Sequence, residues 1–393
     1  MKISLLVVDL SSNPIARAFP IAKALKRHFE TEIIGMCFGD SVLPAYESEF
    51  NYKIIPGQKF PRALQAIREC YKLISGDLIY AFKPHLTTFG IGLLSKLRDR
   101  KPVILDIDDF ETAPFYKQPF VHNKLRFRKQ FLLQELLLKE WSNPLGLRYQ
   151  YVMQKLIHLA DRTTVASEFL LQRFGGTKLP HGVDANLFDP TWYNREESRQ
   201  RLGFKLDDIV VTFTGTPREH KGLDDLAQAV SALSKEYRLV ILIVGGYKGD
   251  KHVEHLKANY SNILHIESQP HALIPYYLAA ADIVALPQKD NLISRAQVPV
   301  KLFEAMAMAK PIVASQVSDL PEILNGCGLL FEAGNVEELV QQLRRLCQDR
   351  ELGLHLGLKA RERVLANYSI DSIDAVLTQR VLAPWISSHS EKV

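Results

Sequence analysis

Three aspartates crowd the end of one apolar run in "KPVILDIDDFE", at Asp106, Asp108 and Asp109. Asp106 and Asp108 spell a D-x-D, a pattern that serves a metal ion or a phosphoryl-transfer nucleophile with its partner. A second constellation lies in "TFTGTPREHKGLDDLAQAV". There Gly215 admits close approach to the backbone, Arg218 offers a guanidinium fork to phosphate oxygens, and Lys221 offers a point charge just before Gly222 opens a helix. In "VPVKLFEAMAMAKPIVAS", Pro299 precedes a helix whose first turn leaves N–H groups unpaired, which with the helix dipole makes an anion site. Glu304, early on that helix, can accept two hydroxyl hydrogen bonds, as a carboxylate does on a ribose diol. Each pattern alone also serves without a ligand. Short polar residues cap strand ends, cationic loops face water, and a helix with Ala305, Ala307 and Ala309 packs closely on a sheet. No P-loop spacing and no G-x-G-x-x-G is present.

The elements that must position these groups alternate between short apolar runs and helical periods, the pattern of parallel α/β sheets. In the first half the strands are expected at "ISLLVVDL", "TEIIGMC", "YKIIP", "DLIYAF", "PVILDI" and "RTTVAS", with helices such as "IARAFPIAKALKRHF" and "PRALQAIRECYKLI" between them. "HGVDANLFDPTWYNREESRQRLGF" then reads as a polar connector without a strong period, and its "KLPHGVDANLFDP" start as a rigid exit from one domain. A second series follows in "DIVVTFTG", "YRLVILIVGG", "NILHI", "ADIVALP", "KPIVAS" and "GLLFEA". At 393 residues the chain exceeds one ordinary core. The expectation is two doubly wound, Rossmann-like α/β domains, residues 1–187 and 188–369, with a C-terminal helix at about 370–393 returning to the first. Ligands of such sheets bind outside the carboxyl ends of the strands, where all three constellations fall.

Composition narrows the function class. Four widely spaced cysteines without a C-x-x-C argue against a zinc site or a disulfide framework. The first apolar run is too short for a signal peptide or a membrane span, so a cytoplasmic location is expected. Net charge is a modest +5 but uneven. Between residues 117 and 155 eight Lys or Arg stand against Glu135 and Glu140, interleaved with Phe127, Phe131 and Trp141. That stretch suits either a helical excursion packed on its own domain or peripheral contact with an anionic membrane face.

The segments "SEFLLQRFGG" with "HGVDANLFDP", "FTGTPREHKGLDDL" and "VPVKLFEAMAMAKPIVAS" with "DLPEIL" and "CGLLFEAGNVEEL", in this order, resemble the retaining glycosyltransferases of the GT-B fold, family 4 or glycosyl transferases group 1. The resemblance covers residues 160 to 345 well and the first 110 more loosely. It implies transfer of a sugar from a nucleoside-diphosphate sugar to an acceptor hydroxyl, with retention, without metal and without a cofactor, since the nucleotide sugar is a co-substrate. The basic, aromatic-containing stretch at 117–155 suits a lipid-linked acceptor, a soluble saccharide fits equally well, and no nucleic-acid partner is expected. Lys221 would hold the donor diphosphate, assisted by Arg218, because Thr216 stands where the family usually has an arginine after the glycine. Gly215, Pro299, Val300 and Lys301 would approach the diphosphate, Glu304 the ribose, and the "ESQPHAL" loop with Gln269 the base. A family glutamate that contacts the sugar is replaced here by Ala296. After the first strand the usual glycine-rich loop is replaced by "DLSSNPIAR", whose Ser11, Ser12 and Asn13 offer donors instead.

On the same resemblance the late strand of the first domain commonly ends in His-Asp near the donor sugar, and that histidine falls on Asp108 with Asp109 beside it. A carboxyl there would accept bonds from sugar hydroxyls, or act as a base if burial raised its pKa. Asp106, two residues back on the same strand face, is expected to reach the rim of the site. Charge developing on the departing diphosphate would be stabilised by Lys221, Arg218 and the helix N-terminus. The competing readings are a single-domain GT-A transferase or a phosphatase using the D-x-D, a GT-B protein that binds nucleotide sugar without transfer, and a GT-B nucleotide-sugar epimerase.

Overall fold

Apolar runs rich in Val, Ile and Leu form strands that are covered on both faces, the condition under which parallel sheets occur. The structure is a computed structural model that describes residues 1–43, 46, 50–113, 141–205 and 207–390. It divides into two units, Met1–His181 with Ile373–Val393, and Gly182–Ser372.

In the first unit β1 (Lys2–Val7), β2 (Glu30–Cys37), β3 (Tyr52–Pro56), β4 (Leu78–Phe82), β5 (Val103–Ile107), β6 (Arg162–Val165) and β7 (Thr177–Lys178) form one sheet in the order β3-β2-β1-β4-β5-β6-β7. Every pairing is parallel, with Leu5 opposite Ile33 on one side and Tyr80 on the other. Strand order reverses at β1, so the crevice of this sheet lies at the carboxyl ends of β1 and β4. The helix Pro14–Leu25 starts with proline at its first turn and buries one face, Arg17 included. From the C-terminal end, Ile373, Leu377, Val381 and Leu382 are buried, and Asp374 meets His28 at 2.9 Å.

In the second unit β8 (Ile209–Thr214), β9 (Leu239–Val244), β10 (Ile263–Ile266), β11 (Ile283–Leu286), β12 (Ile312–Ser315) and β13 (Leu329–Phe331) pair in the order β10-β9-β8-β11-β12-β13. All are parallel. Side chains alternate along each strand. Val211, Phe213, Ile283 and Ala285 therefore pack with the helices Leu223–Leu233 and Val336–Gln348 on one face. On the other, Val284 and Leu286 pack with Val300–Ala307 and Arg350–Asn367. The order reverses between β8 and β11, which places this sheet's crevice at Thr214–Gly215 and Leu286–Pro287.

Two segments differ from expectation. The polar connector holds a helix, Arg195–Arg201, capped by the Asn194 side chain and acidic at Glu196 and Glu197 in its first turn. Its Arg199 is buried on Asp282 at 2.9 Å, so a charge, rather than an apolar stripe, anchors the helix. The two-residue β7 is also additional, too short to leave a periodic signal. Of the basic stretch, residues 117–140 lie outside the described residues. Its remainder forms the helix Leu147–Lys155, with the Arg148 guanidinium 4.4 Å over the exposed Trp141 ring. Among the described residues no helix is long and apolar enough to cross a membrane.

Candidate functional site

The Gly182–Ser372 unit gathers cations at its crevice. After β8 the chain turns at Gly215, whose φ of +104° is the left-handed region that glycine tolerates. A Cβ at Gly215 would lie 2.9 Å from Lys301 Nζ, so the missing side chain also leaves room for that ammonium. Lys301 comes from the first turn of Val300–Ala307 and places its Nζ 3.4 Å from the centroid of the Phe213 ring. Burial and the neighbouring Lys221 push the Lys301 ammonium well below the usual lysine range, against the pull of Glu304.

Lys221 ends the single turn Glu219–Lys221, and its Nζ donates to Gln297 Oε1 at 2.9 Å. The next residue, Gly222, has φ +70°, and a Cβ there would stand 1.7 Å from the Pro287 carbonyl oxygen. Only glycine lets the lysine loop lie against the end of β11, where Lys289 N donates to His220 O at 2.9 Å. His220 is pushed down to about 4 by burial and by Lys221, Arg218 and Lys301, so it is neutral at pH 7. Arg218 is exposed at the start of the turn, and Thr216 is half-buried beside it. Lys221 and Lys301 thus lie together by the amino end of Val300–Ala307, for which Pro299 is the N-cap, and Arg218 with both lysines acts on His220. An anion placed there relieves the mutual repulsion of the cations.

Glu304, one turn further along the same helix, is 7% exposed and its Oε1 lies 2.9 Å from His271 Nε2. His271 opens the short turn after the loop that follows β10 and packs at 5.2 Å from the Phe188 ring. Gln269 lies in that loop, half-buried, with its amide bonded to Glu267 O at 3.2 Å. Ala296 is fully buried, and its methyl offers no polar group of the kind a glutamate would.

In the first unit the three aspartates have three different environments. Asp106 is fully buried, accepting from Arg17 Nε at 2.9 Å, from Arg17 NH2 at 2.8 Å and from Thr164 Oγ1 at 2.7 Å. It does not reach the rim of a site, which corrects the expectation. Its face of β5 points at the helix that carries Arg17, and the guanidinium closes over it while donating to the Leu179 and Pro180 carbonyls. Asp108 and Asp109 lie 3.7 and 3.6 Å from Lys83 Nζ, which also meets Glu111 at 2.5 Å. The second oxygen of Glu111 lies 2.8 Å from His85 Nε2. Asp108 Oδ1 is buried with no hydrogen-bond partner among the described residues. Burial, opposed by Lys83 and reinforced by Asp106 and Asp109, pushes the Asp108 carboxyl up to about 6. His181 is held neutral by burial and by the positive charges of Arg17 and Lys83.

The loop after β1 is organised by Asp9. Ser11 Oγ and Ser12 Oγ both donate to its carboxylate at 2.6 Å, so the Ser12 hydroxyl proton is not available to a ligand in the way expected. Asn13 is exposed and starts the helix Pro14–Leu25 without a side-chain cap bond.

Sequence reasoning placed Lys301 near the site through its backbone and missed its ammonium, as it missed Gln297, His271, Arg17, Lys83, Glu111 and His181. Lys83 carried a usable signal, being the first residue after β4. The partners Gln297 and His271 meet Lys221 and Glu304 across 76 and 33 residues of chain, and no spacing rule pairs them.

Residues 208–349 match the family model described as Glycosyl transferases group 1. The chain is 27% identical over 300 residues to the sulfoquinovosyl transferase SQD2 of Arabidopsis thaliana, covering 73% of this chain and 52% of that one. It is 28% identical over 246 residues to the D-inositol 3-phosphate glycosyltransferase of Corynebacterium glutamicum, covering 58% and 54%. The chain spans about half the length of these curated relatives. Among solved structures it resembles the sucrose-phosphate synthase of Thermosynechococcus elongatus, with a TM-score of 0.76 at 18% identity over 98% of this chain and 100% of that one. It also resembles Anabaena HepE in complex with UDP and glucose, with a TM-score of 0.72 at 18% identity over 99% and 100%. With two parallel-sheet α/β units, these likenesses identify the fold as GT-B.

Proposed function

We propose that this protein, whose residues 208–349 match the model described as Glycosyl transferases group 1, moves a sugar from a nucleoside-diphosphate sugar to an acceptor hydroxyl. The observation that carries the reading is the convergence of Lys221 and Lys301 on the amino end of Val300–Ala307, at the point where strand order reverses. A diphosphate matches that cationic site in sign. The Lys221 ammonium, Lys301, whose protonation a bound anion would favour, and the N–H groups of the first turn would stabilise the charge that grows on the leaving group as the glycosidic bond breaks. Arg218, exposed at the mouth of the same turn, is assigned to the outer phosphate oxygens. Glu304, oriented by His271, is assigned to the ribose hydroxyls, and the loop carrying Gln269 to the base. The UDP and glucose bound in the HepE structure make UDP-sugars the first donors to try.

In the first unit Asp108 is assigned to the acceptor or to the donor sugar. A carboxyl raised to about 6 is mainly ionised at pH 7, accepting hydrogen bonds from hydroxyls, with a minor protonated fraction that can also donate. The reading includes retention of anomeric configuration, metal-independent transfer and no cofactor. NMR of the fresh product and turnover in excess EDTA test the first two.

The deciding experiment is a binding screen of UDP, GDP and ADP and their common sugar conjugates, repeated on Lys221→Ala and Glu304→Ala. Loss of one charge-assisted contact corresponds to roughly 10- to 150-fold weaker binding. Absence of any nucleotide binding by the wild-type protein, or unchanged binding in both variants, overturns the proposal.

A further inference from the structure

Lysine is a flexible point charge, and freezing its stem in one direction is entropically costly. Lys221 does not stand alone over the crevice: its ammonium is held by Gln297 Oε1 at 2.9 Å. Gln297 is fixed in turn. It follows the helix Leu292–Ala296, which Asn291 caps through two backbone N–H groups at 3.0 Å, and its own N–H donates to Ser294 O at 3.3 Å. Two residues later Pro299 begins the helix whose amino end faces the same spot. The other end of the contact is equally constrained, because Gly222 is pressed against the Pro287 carbonyl. One side-chain hydrogen bond therefore ties the lysine loop to the segment that leads into the anion-facing helix.

The chemistry of residue 297 matters as much as its position. A carboxylate would orient Lys221 too, but it would neutralise that charge and compete with an incoming anion. A carboxamide oxygen accepts one of the three ammonium N–H bonds and leaves the positive charge intact. It also leaves Lys221 acting on Lys301, whose ammonium is already disfavoured by burial and by that neighbour. Binding of an anion is then the event that satisfies both lysines together.

We infer that Gln297 is a positioning residue for the donor diphosphate: its side-chain oxygen aims the Lys221 ammonium while preserving its charge. The inference rests on the donor reading given above and specifies how that site is organised. Gln297→Met keeps the length of the side chain without the acceptor, and Gln297→Glu keeps the acceptor but adds a competing charge.

The test is calorimetric titration of UDP, GDP and ADP into the wild-type protein, Gln297→Met, Gln297→Glu, Lys221→Ala and the Lys221→Ala/Gln297→Met double variant, at two salt concentrations, with thermal midpoints of the unliganded proteins alongside. Expected results are about tenfold weaker binding of the best diphosphate by Gln297→Met and a larger loss by Gln297→Glu. In the Lys221→Ala background the methionine change should have no further effect, which a merely structural role would not produce. Affinity of Gln297→Glu should also depend less on salt than that of the wild type. Additive losses in the double variant, or wild-type affinity in Gln297→Glu, overturn the inference and leave the donor reading standing. Failure of the wild-type protein to bind any of the three diphosphates removes both.

Discussion

The buried Arg17–Asp106 pair allows a sharp test of whether Asp106 belongs to the fold or to the chemistry. Its side chains are 2% and 0% exposed, and both carboxylate oxygens are occupied. Arg17→Met leaves a carboxylate in an apolar environment with only Thr164 as donor, and strips the Leu179 and Pro180 carbonyls of their partner. Breaking such a pair costs about 3–5 kcal/mol, with about 1 kcal/mol more for each deserted carbonyl. Asp106→Leu leaves the guanidinium bonded to those two carbonyls, with Asp108 still acting on it from a distance, and should cost about 3–5 kcal/mol as well. The double variant Arg17→Met/Asp106→Leu removes both charges at once. It loses the carbonyl bonds and the Thr164 bond but buries no unpaired ion, so its cost should be about 1–3 kcal/mol, below either single change.

Urea denaturation read by tryptophan fluorescence measures these differences. Trp141 and Trp385 belong to the unit that contains the pair, and Trp192→Phe silences the exposed tryptophan of the other. A coupling energy of several kcal/mol between the two substitutions is the expected result. Strictly additive costs would refute the account. So would an Asp106→Asn protein of native stability that has lost turnover, because that outcome would return Asp106 to the reacting groups.

Two further outcomes follow from the geometry. Gly222→Ala combines a φ of +70° with a Cβ 1.7 Å from the Pro287 oxygen, so the lysine loop must move away from β11; nucleotide binding should fall at least as far as in Lys221→Ala, and titration showing wild-type affinity would contradict the packing argument. For Asp108 the sign is set by a native pKa of about 6 above the unfolded value of 3.8: the native state binds the extra proton, so stability falls as pH rises between those values and the penalty of about 3 kcal/mol is complete above pH 6. Asp108→Asn should accordingly gain stability relative to wild type at pH 7.5 and little at pH 4, less whatever the asparagine loses against Lys83; an identical difference at both pH values in urea titrations would dismiss the shifted carboxyl.

The architecture was legible because its signals are local and repeated. Most of β1–β6 and β8–β13 are short runs rich in aliphatic residues, such as LVILIV in β9 and IVAL in β11, and burial on both faces makes such runs continuous rather than alternating. The helix Arg195–Arg201 escaped notice because its anchoring residue is an arginine, whereas periodicity searches look for apolar stripes. Its start was nonetheless written in Asn194, Glu196 and Glu197, the cap and first-turn acids that a helix amino end prefers.

The site was legible only as far as single side chains act alone. Lys221 and Glu304 could be chosen because strand ends and helix starts mark where a charge can face a ligand. What the letters conceal is which charges cancel. "DID" reads as two equivalent carboxylates on one strand face, yet Arg17, lying 89 residues away, takes Asp106 out of the chemistry. Asp108, one step beyond the strand, meets Lys83 only at 3.7 Å and keeps a carboxyl whose protonation responds near neutral pH. The same reasoning separates Lys221 from Lys289, a lysine of the same unit. Lys289 is paired with the Asp225 carboxylate, whereas Lys221 is held by a neutral amide and Lys301 lies over an aromatic ring. How a lysine's charge is presented to an anion therefore depends on its partner as much as on the lysine.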